Sequence, residues 1–217
     1  MSKDLIKKIS KNIRLQFLKD GSGHDWWHID RVWKISKNIA KKEKGSNLLL
    51  VELIALTHEL GDYKLEKDSV NRQEERIKEF LEKHKVATPL LEKVIKNASS
   101  ISWNKNINNK QELSLEGRIV QDADRLEAIG AIGIARVFAY AGHKNNLIHD
   151  PRVSPKLGRS PKFYRNYRNT AINHFYEKLL LVKNSLNTKT GKKLAEHRQR
   201  FMENYLKEFY SEWDGLK

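Results

Sequence analysis

The chain contains no cysteine, which excludes disulfide bridges and thiolate metal ligands and leaves histidine with aspartate or glutamate as the strong ligand set. Proline (4) and glycine (11) are scarce among 217 residues, and alternation of apolar and polar residues is nearly missing, so sheets are poorly served while helical periodicity runs on. No apolar run approaches the roughly 20 residues that span a bilayer. The stretch Met1-Ser2-Lys3-Asp4-Leu5-Ile6-Lys7-Lys8 has no apolar core of the signal-peptide kind. What is present is 39% hydrophobic and 32% charged, enough for one sizeable core and short for two independent ones. The expectation is a cytoplasmic all-α protein folded as one domain over 1–217, with no membrane association.

Acidic residues are the minority, 27 against 42 basic, and the formal charge of +15 must attract anions. The lysines are scattered over solvated helix surface, among them Lys7, Lys8, Lys41, Lys42, Lys192 and Lys193, and no nucleic-acid-binding signature interleaves aromatics with them. The charge therefore reads as solvation and attraction of small anionic substrates, with a nucleic-acid partner the less favoured alternative.

The periodicity predicts helices near 3–18, 26–43, 47–60, 70–84, 88–99, 116–141, 168–185 and 189–212. Gly45-Ser46-Asn47 ends one helix and caps the next, whose body Leu48-Leu49-Leu50-Val51-Glu52-Leu53-Ile54-Ala55-Leu56 is apolar on nearly every side and must be central. The helix after Gly117 carries small residues (Ala128, Gly130, Ala131, Gly133, Ala135) that permit close approach, and it too is expected to be internal. Between about 142 and 167 the pattern lapses into a basic stretch with Pro151, Pro155, Gly158 and Pro161. That stretch reads as a lid or a homo-oligomer contact, or as plain disorder. Ser102 to Ser114 reads as a simple connection.

The central helix ends in His58-Glu59, an imidazole and a carboxylate offered side by side, which suits a divalent metal. His28 sits four, seven and eleven residues before Val32, Ile35 and Ile39, so it lies on the apolar stripe of its helix and points inward. Alone it would be a core histidine with satisfied hydrogen bonds; beside His58-Glu59 it becomes a ligand candidate. His24, one turn earlier, could ligate, touch a substrate phosphate, or only cap and pack. Asp122 and Asp124 are about 200° apart around a helix, so only one can enter a central site. Asp124 is the candidate ligand, and Asp122 belongs rather to a charge network within the helix.

The order His28, His58-Glu59, Asp124 resembles the H…HD…D pattern of the HD-domain metal-dependent phosphohydrolases. The surrounding text is similar to one bacterial branch, which includes nucleotide pyrophosphohydrolase-like proteins. It comprises His24-Asp25-Trp26-Trp27-His28 with Arg31-Val32, Gly61-Asp62-Tyr63-Lys64, Ile119 to Ala131, and His174-Phe175-Tyr176-Glu177-Lys178-Leu179-Leu180. The similarity spans roughly residues 20–210. It implies that His28, His58, Glu59 and Asp124 hold one divalent metal, manganese first, with magnesium, cobalt, iron or nickel as alternatives. It implies also that the substrate is a nucleotide, a (deoxy)nucleoside triphosphate cleaved to monophosphate and pyrophosphate. The sequence departs from the pattern at Glu59, where the family has Asp: one methylene longer, this carboxylate must retract, bind differently or miss the metal. Asp62 falls where some subfamilies carry a proton-handling Glu and takes the general acid/base role. Lys64 and Arg125 are near enough in sequence to neutralise phosphate charge, their bland alternatives being a surface charge and a buried structural ion pair.

Two rival readings follow from the same residues. His58-Glu59-Leu60-Gly61-Asp62 is one residue from the H-E-x-x-H zinc-protease motif, but Asp replaces the second His and Gly61 threatens the helix that must present both. The other rival is a catalytically impaired HD-type module that binds nucleotide or nucleic acid without turnover, kept in play by Glu59 and the positive charge.

Overall fold

Helical periodicity is realised as helices throughout: the computed structural model describes residues 2–18, 25–61, 72–101, 112–157 and 170–217, and among these there is no strand. The chain divides into two compact units, Met1–Asp124 and Arg125–Lys217.

The first unit contains α1 (Ser2–Phe17), α2 (Trp26–Ala40), α3 (Leu48–Thr57), α4 (Gln73–Lys83), α5 (Thr88–Ala98) and most of α6 (Leu115–Glu127). α3 is its axis. Asn47 caps it by accepting from Leu50 N at 3.2 Å, and Val51, Leu53, Ile54, Ala55 and Leu56 have no exposure at all. A helix apolar on every side gains stability only when covered on every side, and α1, α2 and α5 all pack on α3. α2 begins at Asp25, whose carboxylate accepts from His28 N at 2.8 Å, and it buries Ile29, Val32 and Ile39 along one stripe together with His28. Where α6 crosses α5, a Cβ on Gly117 would run into the Asn97 side chain. Asn97 Oδ1 in turn accepts from Ser114 N at 3.0 Å, so the approach is that of two backbones with one amide between them.

The second unit contains the end of α6, α7 (Gly130–His143), α8 (Ala171–Glu177), a 3₁₀ helix (Leu179–Ser185) and α9 (Lys189–Trp213). Three expectations are corrected here. The single helix predicted over 116–141 is two, because Ile129 is extended and Gly130 turns at φ +78, a conformation open to glycine. The small-residue stretch is only partly internal: Gly130, Gly133, Ile134 and Ala141 are buried, whereas Ala131, Ile132, Ala135 and Tyr140 are exposed. The helix predicted over 168–185 is α8 followed by the tighter 3₁₀ turn, with the change of pitch at Lys178.

The basic stretch after 142 is tied down in its first half. Ala171 N and Ile172 N donate to the carbonyls of Leu147 and Ile148 at 2.9 and 3.0 Å, Asn173 Nδ2 to Val153 O at 2.8 Å, and Lys156 N to Glu177 Oε1 at 2.7 Å. Residues 158–167 of that stretch lie outside the described residues, as do 102–111 of the connection after α5. No described helix is long and apolar enough to cross a membrane.

Candidate metal centre

The elements that carry the predicted ligands all belong to the first unit. α2 delivers His28 from its first turn, α3 delivers His58 and Glu59 just past its last turn, and α6 delivers Asp124. His28, His58 and Glu59 are 1%, 4% and 4% exposed, so three of the four polar groups have left water almost entirely. Asp124 is half-buried.

These side chains converge. One donor atom from each of His28, His58, Glu59 and Asp124 lies within 4.8 Å of every other. His28 Nε2 stands 3.1 Å from Glu59 Oε1 and 3.4 Å from Asp124 Oδ1, and His58 Nε2 stands 3.4 Å from Glu59 Oε1. Donors held about 2.1 Å from one cation, at angles between octahedral and tetrahedral, are separated by about 3.0–3.4 Å. The observed spacings are those of neighbouring ligands around a single ion.

The hydrogen bonding supports the same fit. His58 Nδ1 is 2.8 Å from the Ala55 carbonyl, an acceptor only, so Nδ1 carries a proton and the ring turns its Nε2 toward the cluster. That Nε2 is buried and makes no hydrogen bond, with Glu59 Oε1 3.4 Å away, so the pair offers a nitrogen and an oxygen donor to a shared cation. Burial alone would raise the Asp124 carboxyl, but the hydrogen bond and charge of His28 and the charge of His58 outweigh both burial and repulsion from Glu59. Asp124 is thus held well below the usual carboxylate range, ionised and ready for a cation.

Glu59 does not miss the cluster. Its extra methylene still leaves Oε1 within reach of both imidazoles, at 3.1 and 3.4 Å. Asp122, fully buried, is not among the converging groups, as the rotation between it and Asp124 requires. Arg125 is buried in the second unit, where its guanidinium donates to the Ser185 carbonyl at the end of the 3₁₀ helix. His24, Asp62 and Lys64 lie outside the described residues. The cap of α2 is Asp25.

Sequence reasoning missed one side chain that touches the ligand-bearing backbone. Gln73, from the first turn of α4, donates Nε2 to the His58 carbonyl at 2.9 Å. The only signal available was indirect: the last carbonyls of a helix have no partner within it, so something must meet those of α3.

Comparison with known proteins agrees with this geometry. The HD domain family model matches residues 26–129, the span from the start of α2 to just past α6. Bacillus subtilis YpgQ is 36% identical over 198 residues, covering 91% of this chain and 88% of its own, and its crystal structure in complex with ADP has a TM-score of 0.76. In that structure the identity is 32%, over 97% of this chain and 96% of the other. A crystal structure from Lactobacillus plantarum gives a TM-score of 0.83 at 36% identity, over 97% of both chains. An HD-superfamily hydrolase of Bacillus thuringiensis gives 0.78 at 36% identity, over 99% of both. With two imidazoles and two carboxylates converging inside that matched span, the chain belongs to the HD-domain family.

Proposed function

We propose that the protein is a divalent-metal-dependent phosphohydrolase acting on nucleotides, cleaving (deoxy)nucleoside triphosphates to monophosphate and pyrophosphate. The observation that carries the reading is the convergence of His28, His58, Glu59 and Asp124 within 4.8 Å, with the buried His58 Nε2 turned toward the others. The nucleotide part draws support from a relative, since B. subtilis YpgQ was crystallised with ADP.

His28, His58, Glu59 and Asp124 would hold the cation, with manganese the first candidate for a mixed nitrogen and oxygen set. A divalent ion bound there lowers the pKa of water and polarises a phosphoryl oxygen. The chain's own residues do the rest. His58 is kept in the ligating tautomer by the Ala55 carbonyl, and α3 excludes water from its side of the site by complete burial. Asp62, next in sequence to Gly61, is assigned proton transfer. His24 and Lys64 are assigned to the phosphate charge, while Arg125, expected from the sequence to share that role, is engaged with the Ser185 carbonyl. The positive chain, +15 overall, raises the local concentration of such an anionic substrate. The reading treats the chain as one functional domain, since the family match ends beyond the boundary between the units. It places the protein in the cytoplasm, where a cysteine-free chain needs no oxidising environment.

The test is to incubate metal-stripped protein with ribo- and deoxynucleotides plus Mn²⁺, Co²⁺, Mg²⁺ or chelator, and to separate the products by ion-exchange chromatography. Monophosphate with pyrophosphate, formed only with metal and lost in His58→Ala, is the expected result. No turnover with any metal, beside tight nucleotide binding, would instead establish the impaired binding module.

A further inference from the structure

The carbonyls at the C-terminal end of a helix have no partner inside it. In α3 this bears on the metal centre, because His58 and Glu59 hang on those last peptides. The His58 carbonyl is met from outside: Gln73 Nε2 donates to it at 2.9 Å. Three residues on from His58 the same turn is pressed against the same place. Gly61 adopts φ +65, and a Cβ there would stand 3.0 Å from Arg76 Cγ and 3.1 Å from both Arg76 Cβ and the Gln73 Cα. The backbone leaving the ligand pair is therefore seated on the first turn of α4 at two points.

α4 is itself a firm base. Ile77 and Leu81 are fully buried, α4 packs along α5, and Ser99 Oγ, just past the end of α5, donates to Glu74 Oε1 at 3.0 Å beside Gln73. The His58 ring is oriented from the other side by Ala55 of α3. The ring thus takes its direction from α3 and the peptide behind it from α4.

We propose that Gln73 is a positioning residue for the metal centre: through its hydrogen bond to the His58 carbonyl, backed by the seat of Gly61 on α4, it fixes the peptide that carries His58 and Glu59. This rests on the metal-binding reading above. Removing a partner one bond away from the ligands characteristically weakens metal affinity by about 10–100-fold. Here the weakening should come through Glu59, one peptide on, whose carboxylate lies 3.1 Å from His28 Nε2 only while that peptide is held.

The experiment is a titration of metal-free, full-length protein with Co²⁺ and with Mn²⁺ by calorimetry, with the visible spectrum of the Co²⁺ form as a second readout. Gln73→Ala and Gln73→Glu are compared with wild type and with Ile77→Val, which loosens α4 away from the contact. The expected result is at least about 10-fold weaker binding and altered Co²⁺ bands in both Gln73 variants, with Ile77→Val unchanged. Wild-type affinity in Gln73→Ala, or equal weakening in Ile77→Val, overturns the proposal, the latter by showing a general loosening. Should Gln73→Ala not fold, Gln73→Met keeps the side-chain length, removes only the donor, and decides by the same criterion. Failure of wild type to take up either metal is a separate result, which removes the metal centre and the proposal with it.

Discussion

The two units solve different physical problems with different residues. The first, Met1–Asp124, carries 24 basic and 19 acidic residues and builds its interior around α3, largely from aliphatic side chains with Phe17, Trp26 and Phe80 among them. The second, Arg125–Lys217, carries 18 basic against only 8 acidic residues, so most of the excess positive charge lies there. Its buried residues are also mostly aliphatic, with Phe175 the one buried aromatic among those described, and a half-covered aromatic cluster lies along α9. Phe175 stacks on Tyr205 at 6.0 Å between ring centroids, Phe209 stacks on Trp213 at 5.8 Å, and His149 meets Phe209, Tyr210 and Trp213 edge-on at 5.9, 5.5 and 4.9 Å. Of the large hydrophobic residues left exposed among those described, Leu15, Leu18, Trp27 and Leu48 are in the first unit and the remainder in the second. The difference teaches where geometry is strict. β-Branched and leucine side chains packed all round a helix leave it no freedom to shift, which four converging ligands need. The rings gathered along α9 stay half-covered, with Trp213 exposed, and bear none of the four converging groups.

The sharpest way to break this contrast is to remove a ligand. His58→Ala should abolish metal uptake by the first unit, a loss larger than the roughly 100-fold that an outer partner costs. It should also remove the stabilisation that metal gives to wild type, about 2.7 kcal/mol at a hundredfold excess over Kd. Thermal unfolding with and without Mn²⁺ measures both. A metal-dependent rise in Tm that survives in the variant would place the ion elsewhere.

Next in size are core truncations, one in each unit. Leu53→Ala in α3 should cost about 2–5 kcal/mol, and Phe175→Ala in α8 about 3–5 kcal/mol, read from urea unfolding. Only the first should also weaken metal binding when measured well below its transition, because all four candidate ligands belong to the first unit. Equal weakening by Phe175→Ala would show that the second unit shares in setting the site.

Acid should act on the second unit through His174. Burial, with Lys178 adding to it, pushes this half-buried ring down to about 3. The unfolded chain therefore accepts a proton below about 6.5 that the folded chain refuses until about 3. Stability present above the unfolded value is lost as pH falls through that window, by at most about 1.4 kcal/mol per pH unit from this group. Unfolding free energy followed from pH 7 to pH 5 should fall less steeply in His174→Gln than in wild type. Parallel curves would take His174 out of the account.

Much of the site was legible in the sequence because helical geometry is local. His28 was placed inward by its spacing from Val32, Ile35 and Ile39, and Asp124 was separated from Asp122 by rotation alone; the structure bears out both. The all-round apolar body of α3 marked it as central. Other features depended on facts that spacing does not carry. The break at Gly130 was hidden because glycine among alanines also reads as close helix packing, whereas here it supplies a left-handed turn whose absent Cβ would meet Arg198. The 3₁₀ helix was merged with α8 because periods of 3.0 and 3.6 differ too little over two turns. Gln73 could not be found at all, since it lies 15 residues from His58 and meets its backbone rather than its side chain.

The smallest effect offers the finest test of the contrast, because the same kind of cap starts a principal helix in each unit. Asn47 caps α3 by accepting from Leu50 N at 3.2 Å, and Thr188 caps α9 by accepting from Gly191 N at 2.9 Å. Replacing either by alanine should cost about 1 kcal/mol in urea unfolding. If packing rather than capping sets the position of α3, Asn47→Ala should leave the metal affinity at its wild-type value. Its cap lies at the end of the helix remote from His58, and the buried body between them is covered by α1, α2 and α5. Loss of metal affinity in proportion to the lost stability would mean that α3 slides when its start is released, and the strictness attributed to the first unit would have to come from Gln73 and the far end of the helix instead.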